Sequence, residues 1–180
     1  SVMNKEGMGN PGKDGILYPW DFLLSYGSMF RKSSLIILLF LGRNYPTKYH
    51  VRDLARSLQY DVSLISKNLK QLEKLGMVSH EEVGNLVFYQ SNMNNVLTRQ
   101  MKICFTLLEI HRLIQNLHPI TTTVILYGSC AKGEDTHRSD IDLYIETQDK
   151  EAVMTILNTH QKKIVREISP IVLTLDEMYA

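Results

Sequence analysis

Apolar and polar positions divide the chain into stretches of two different periods. Residues 35–41 are continuously apolar, follow Ser33 and Ser34, and run into Gly42. That pattern predicts a short buried helix, capped by the serines and ended by the glycine. Asn44, Tyr45 and Pro46 make a turn. Val51, Leu54, Ala55 and Leu58 recur at intervals of three and four, as the buried stripe of a second helix does. Asp61 stands at the N-cap position of a third, in which Ile65, Leu69, Leu72 and Leu75 share one face and Gly76 closes the last turn. The period then shortens: residues 77–80 and 86–89 flank Gly84-Asn85 and read as a β-hairpin.

Residues 94–117 return to helical spacing, with Leu97, Met101, Cys104, Leu108 and His111 as the expected apolar stripe. Such a helix would reach roughly 35 Å at 1.5 Å per residue, and Pro119 stops it. Residues 123–127, β-branched and apolar, predict a buried strand. Residues 141–145 predict a second strand, 150–159 a helix and 171–173 a third strand, with Asp176 and Glu177 opening a last helix. Ahead of all this, residues 16–20 and 22–24 supply apolar anchors without a clear period, expected to pack on the first domain. No repeat or low-complexity tract interrupts the chain.

Composition sets limits. With 44% hydrophobic and 22% charged residues among 180, the chain is expected to be globular and soluble. Twenty basic against nineteen acidic residues give a net charge of +1, so any basic surface is local. Cys104 and Cys130 lie far apart and exclude a disulfide framework, which suits a reducing cytoplasm. The six histidines never fall at metal-ligand spacing. Residues 35–41 are too few to cross a bilayer, so no membrane partner is expected. Residues 1–15 are polar and glycine-rich, with no secretory pattern, and read as a disordered arm. A cytoplasmic location follows as an expectation.

Three short helices followed by a hairpin make a winged helix-turn-helix, with the third helix in the reading position. Its apolar stripe faces the core and leaves Ser63, Ser66, Lys67, Asn68, Lys70, Gln71 and Lys74 pointing outward. Amides and hydroxyls there can bond base edges while the lysines neutralise phosphates, and Arg52 and Arg56 on the preceding helix can reach the backbone of DNA. The phrase from Ser66 to Val78, Ser-Lys-Asn-Leu-Lys-Gln-Leu-Glu-Lys-Leu-Gly-Met-Val, resembles the recognition helix and wing entry of the ArsR and MarR groups of transcriptional regulators. The competing reading is a lysine-rich solvated helix face.

A second constellation lies further on. Gly128-Ser129 follows a strand directly, and Asp140-Ile141-Asp142 opens the next one. Alternation puts both aspartates on one face, where they can share a cation. Glycine lets the backbone approach a phosphate, and two carboxylates can hold Mg²⁺ (or Mn²⁺) that also bridges substrate phosphates. The stretch from Gly128 to Leu143, Gly-Ser-Cys-Ala-Lys-Gly-Glu-Asp-Thr-His-Arg-Ser-Asp-Ile-Asp-Leu, resembles the signature of the DNA polymerase β-type nucleotidyltransferases, especially the minimal members of bacteria and archaea. The resemblance implies transfer of a nucleoside monophosphate from a nucleoside triphosphate to an acceptor hydroxyl. It implies that Gly128 and Ser129 hold the triphosphate and that Asp140 and Asp142 ligate the metal. Lys132 and Arg138 are candidates for further phosphate contacts, and Cys130 reads as buried packing.

The pattern departs from that family at one point. Active members carry a third carboxylate on a later strand, where this chain reads Ile171-Val172-Leu173-Thr174. An alkyl group neither ligates a cation nor accepts a proton. Glu167 is the candidate replacement, although roughly 13 Å of strand separates the two positions. Losing the base would cost ~10²–10⁴ in rate, while binding survives.

Three functions follow: a nucleotidyltransferase directed by its winged helix, a nucleotide-sensing regulator with an inactive domain, or an antitoxin paired with a HEPN-type toxin. The expected fold class is α+β. Its parts are an arm (1–32), a winged helix (33–92), a long connecting helix (93–120) that serves a homodimer or merely joins the two domains, and a nucleotidyltransferase-like mixed sheet with flanking helices (121–180). A further C-terminal segment is expected beyond Ala180, where the last helix has only begun.

Overall fold

The computed structural model describes residues 19–178; the polar arm, the apolar residues 16–18 and Ala180 lie outside the described residues. The fold is α+β, and the chain divides into two units, residues 1–37 with 49–89 and residues 38–48 with 90–180.

The first unit is the winged helix. It holds α1 (Pro19–Tyr26), the first half of α2 (Lys32–Arg43), β1 (Tyr49–His50), α3 (Val51–Leu58), α4 (Val62–Lys74), β2 (Val78–Val83) and most of β3 (Leu86–Ser91), with strand order β1-β3-β2. Leu54, Ala55, Ile65, Leu69 and Leu72 are buried, the stripes that helical spacing predicts for α3 and α4. The hairpin turns at Gly84, whose φ of +62° suits a residue without a Cβ. Gln59 takes φ +56° at the end of α3, and its N–H reaches back to the Ala55 and Arg56 carbonyls, which sets up the turn into α4.

Several sequence expectations change here. Ser33 and Ser34 lie inside the first turn of α2, which starts at Lys32, and their hydroxyls face Asn68 of α4 instead of capping the helix. Asp61 occupies the N-cap position of α4 without a side-chain cap bond. Phe22, Leu23 and Leu24 remain 52%, 59% and 76% exposed on α1, so they are not buried anchors. Gly42 does not end α2, which continues to Arg43. The glycine is buried instead, because the aliphatic stem of Lys102 runs 3.2 Å from where its Cβ would stand.

In the second unit α5 (Val96–Leu117) begins at Asn95, whose side chain accepts from the Leu97 and Thr98 N–H groups. Its buried stripe is Thr98, Lys102, Thr106, Ile110, Leu113 and Leu117, and the stripe expected from the sequence lies on another side, with Cys104, Leu108 and His111 exposed. Two polar residues disguise the buried face. Lys102 and Thr106 find partners inside the unit, and hydropathy alone cannot see those partners.

After a 3₁₀ turn over His118–Ile120 come β4 (Thr121–Tyr127), α6 (Gly128–Lys132), β5 (Ile141–Thr147), α7 (Lys150–Gln161), β6 (Ile168–Leu173) and α8 (Leu175–Met178). Strand order is β4-β5-β6, the first pair antiparallel and the second parallel, as a crossover through α7 requires. Ile141, Leu143 and Ile145 of β5 are fully buried against Ile110, Leu113 and Leu117 of α5 and Val153 and Leu157 of α7. By alternation Asp142, Tyr144 and Glu146 face the uncovered side of the sheet.

No single helix among the described residues is long and apolar enough to cross a membrane.

Candidate functional site

The open side of the β4-β5-β6 sheet carries the predicted chemistry at one end. Tyr127 pairs with Asp142 across the antiparallel ladder, so the chain leaves β4 beside that carboxylate and turns at once into α6. Gly128 makes the turn at φ +70°, and a Cβ at this position would overlap the Asp142 carboxylate. Only glycine satisfies both the backbone conformation and the close approach. Ser129 follows in the first turn of α6, half-buried, its carbonyl accepting from the Glu134 N–H at 2.9 Å.

Asp140 lies just ahead of β5 and is exposed; Asp142 is half-buried two residues on. Neither carboxylate has a hydrogen bond or ion pair among the described residues, which leaves both sets of oxygens available to a cation. The backbone beneath them is fixed from two directions. The buried Cys130 thiol donates to the Asp140 carbonyl at 3.3 Å, and the Ile141 N–H donates to the Glu167 carbonyl at 2.8 Å. Burial pushes the Cys130 thiol above its ordinary pKa, so it stays protonated and able to donate. Its packing role is thus joined by a positioning one. Lys132 and Arg138 are both exposed, the latter with its backbone N–H on the Thr136 hydroxyl.

On β6 the register assigns neighbours that the sequence could not. Asp142 stands beside Ser169, and Ile171 stands beside Tyr144, one row further along the same face. No carboxylate occupies either β6 position. Glu167 lies just ahead of β6 and is exposed, its carbonyl accepting from the Ile141 N–H, at a cavity also lined by Met154, Leu157, Asn158 and Gln161 of α7. Among the described residues no three His, Cys, Asp or Glu side chains gather as a metal site. Two carboxylate oxygen donors on one face nevertheless suit Mg²⁺, which takes one or two carboxylates and draws its other ligands from substrate phosphates and water.

The loop between α6 and β5 is held by a buried ionic cluster that sequence reasoning missed. Asp135 is fully buried and meets Arg166 at 2.8 Å, Lys102 at 3.6 Å and Arg43 at 3.8 Å. Arg166 also meets Glu109 at 2.8 Å and donates to the Thr106 hydroxyl at 3.0 Å. Lys102 donates to the Asp135 carbonyl at 2.6 Å and lies 4.6 Å above the Tyr45 ring centre. Burial pulls the Lys102 pKa down, against the opposing pull of Asp135. No spacing rule marks these residues, which come from four separate stretches of chain.

In the winged helix, Ser63, Lys67, Lys70 and Lys74 of α4 are exposed, as are Arg52 and Arg56 of α3; Ser66 and Gln71 are half-buried. Gln71 accepts from Arg31 at 3.4 Å, and Arg56 approaches Asp53 at 3.9 Å. Asn68 does not belong with the outward face. It is 1% exposed, and its amide donates to the Ser33 hydroxyl at 2.7 Å, so it is a buried tie between α4 and α2.

Residues 108–175 match the family described as Polymerase beta, Nucleotidyltransferase, a span that includes the glycine turn, both aspartates and β6. No match is found among curated proteins. Two solved structures are similar in part. One is the transcriptional regulator HlyU from Vibrio vulnificus CMCP6, at 21% identity and TM-score 0.39 over 49% of this chain and 88% of that one. The other is the AntR antimony-specific transcriptional repressor, at 19% identity and TM-score 0.44 over 62% of this chain and 96% of that one.

Proposed function

We propose that this chain is a DNA-binding protein whose second unit holds a magnesium-bound nucleoside triphosphate and uses it as a signal. The observation that carries the reading is the approach of Gly128 to Asp142, where a side chain of any size would overlap the carboxylate. A turn pressed so closely onto the Asp142 carboxylate brings backbone N–H groups near a metal-binding oxygen, with Asp140 two residues before it. A polyphosphate with its cation needs both. Asp140 and Asp142 would ligate the metal, the Gly128 and Ser129 backbone with the serine hydroxyl would hold phosphate oxygens, and Lys132 and Arg138 would add charge at the rim. When bound, the cation would polarise the phosphate oxygens it bridges.

Transfer requires more than binding. An acceptor hydroxyl must lose its proton, its oxygen must attack the α-phosphorus, and pyrophosphate must leave. On β6, Ser169 stands beside Asp142 and Ile171 two residues further, neither able to take that proton at neutral pH, and Glu167 lies ahead of the strand. Sensing is therefore placed ahead of turnover. For DNA, the contacting set would be Ser63, Ser66, Lys67, Lys70, Gln71 and Lys74 with Arg52 and Arg56, while Asn68 serves the core. A homodimer through α5 belongs to the same reading.

Titration of the chain with ATP in the presence of Mg²⁺ tests the nucleotide half. Binding is expected to require the metal and to weaken at least about ten-fold in the Asp140→Ala, Asp142→Ala double variant, since each 1.4 kcal/mol lost is a factor of ten. Labelled ATP offered with candidate acceptors is expected to give no more transfer than that variant. Transfer above it would make the chain an enzyme, and metal-independent ATP binding would remove the site altogether.

A further inference from the structure

The uncovered side of the second unit's sheet continues past the aspartates as three parallel rows. Strand register makes the first row Tyr127–Asp142–Ser169, the second Ile125–Tyr144–Ile171 and the third Thr123–Glu146–Leu173. The middle row is apolar and open: Ile125 is 48% and Ile171 47% exposed on either side of Tyr144. Glu146 in the third row accepts from the Tyr144 hydroxyl at 3.0 Å and from the Thr123 hydroxyl at 2.7 Å. These bonds, with that from Thr123 first, hold its carboxyl below the ordinary range. The phenol is thereby tethered along the strand toward the third row, away from the metal-binding oxygens of Asp142.

Two exposed isoleucines flanking a tethered tyrosine, in the row next to a pair of carboxylates, form a flat apolar floor at a fixed distance from a polar site. Rows on one face of a strand repeat every two residues, about 7 Å. If a triphosphate lies at the first row, its nucleoside is covalently attached and must lie within about one ribose of it. The second row is within that reach. An aromatic ring between alkyl side chains offers a nucleobase its π-face and removes apolar surface from water, a contact that tolerates any base because every base has a π-face. A third carboxylate in place of Ile171 would put a charge against that ring. Its absence costs a base for catalysis and leaves the floor apolar.

We propose that the Ile125–Tyr144–Ile171 row is the base-binding subsite for the nucleoside triphosphate, with Tyr144 as its stacking platform. The proposal rests on the reading that Asp140, Asp142 and the Gly128 turn hold the magnesium-bound phosphates. It adds that affinity for the nucleoside part comes from this row and discriminates weakly between bases.

Calorimetric titrations of the full chain with ATP, CTP and inorganic tripolyphosphate, each with Mg²⁺, separate the two claims. Tripolyphosphate is expected to bind, and ATP to bind about ten-fold more tightly or better, the size of one base–aromatic stack. Tyr144→Ala should reduce ATP and CTP to the level of tripolyphosphate and leave tripolyphosphate unchanged. Tyr144→Phe keeps the ring, releases the bond to Glu146 and should retain most of the ATP advantage. Equal binding of ATP and tripolyphosphate by the unaltered chain, or an ATP advantage that survives Tyr144→Ala, overturns the subsite while the phosphate reading stands. Failure of all three ligands to bind removes both. Should Tyr144→Ala instead change the sedimentation of the chain without changing ATP affinity, the row is a contact between copies and the proposal falls.

Discussion

Arg166 meets more of the second unit than any pattern in the sequence suggests. Its guanidinium reaches Glu109 on α5 through two nitrogens, at 2.8 and 3.4 Å, and donates to Asp135, to the Thr106 hydroxyl and to the Cys130 sulfur at 3.4 Å. Its side chain is 4% exposed and that of Asp135 not at all, so without Arg166 the buried Asp135 carboxylate would keep only the longer approaches of Lys102 and Arg43, at 3.6 and 3.8 Å. Removing one partner of such a pair typically costs ~3–5 kcal/mol. Arg166→Met is expected to lose stability on that scale in urea unfolding at pH 7, and Arg166→Lys to recover only part of it, because an ammonium cannot span two carboxylate oxygens as the planar fork does. Acid sensitivity should change as well. Glu109 is desolvated, which alone would raise its pKa, but the bonds from Arg166 and Arg43 outweigh that and hold it below its ordinary value of 4.5. A depressed folded-state pKa contributes stability that is present in full above 4.5 and is lost as pH falls through the folded value. Unfolding midpoints measured from pH 7 down to pH 3 should fall less steeply in Arg166→Met than in the unaltered chain. Identical slopes would show that the cluster does not hold Glu109 ionised.

Between α4 and the wing, Glu73 and His80 form an ion pair that joins the last turn of the helix to the first strand of the hairpin. The hydrogen bond that the His80 ring donates to Glu73, and then the Glu73 charge, raise the His80 pKa above 6.5. A raised folded-state value means that this tie is fully present below 6.5 and is lost as pH rises through the folded value. NMR titration of the His80 ring should give an elevated midpoint that Glu73→Gln returns toward the ordinary one; an unchanged midpoint in that variant would remove the tie. Neighbours like these also explain what was legible beforehand. The stripes of α3 and α4, the hairpin at Gly84 and the glycine-and-aspartate end of the second sheet were readable because each is written in local spacing or in backbone chemistry special to glycine. The buried face of α5 was not, since Lys102 and Thr106 look like surface residues until Asp135 and Arg166 are brought to them by the fold. Asn68 was placed outward for the same reason, its partners lying more than thirty residues away in α2. The start of β6 was missed because Pro170 interrupts it, at an edge strand where a missing N–H is tolerated.

For the whole molecule, the apolar stripe that the sequence assigned to the core of α5 becomes a surface to account for. Of that stripe Leu97 is 37% and Leu108 69% exposed, with Cys104 and His111 exposed as well, and Val96 at 61% and Leu107 at 43% add apolar surface beside it. From Val96 to Leu108 this surface runs about 18 Å along the 22-residue helix, at the rise of an ideal helix. A second copy of the chain related by a two-fold axis would lay the same stripe against itself and needs no other complementary surface. Each leucine fully buried in that way contributes about 1.5–3 kcal/mol. Sedimentation of the full chain is expected to report a dimer, and Leu108→Glu, which would bury a charge twice in a symmetric contact, should shift it to a monomer. Because α4 would then reach DNA singly instead of as a pair, the same variant should weaken binding to a two-half-site DNA far more than to one half-site, with half-sites spaced near one helical turn, about 34 Å. ATP affinity, which the proposed site would set on the uncovered side of the sheet, should not move. A chain that sediments as a monomer before substitution, or a Leu108→Glu variant that remains dimeric, would leave the stripe without this partner and return DNA binding to a single winged helix.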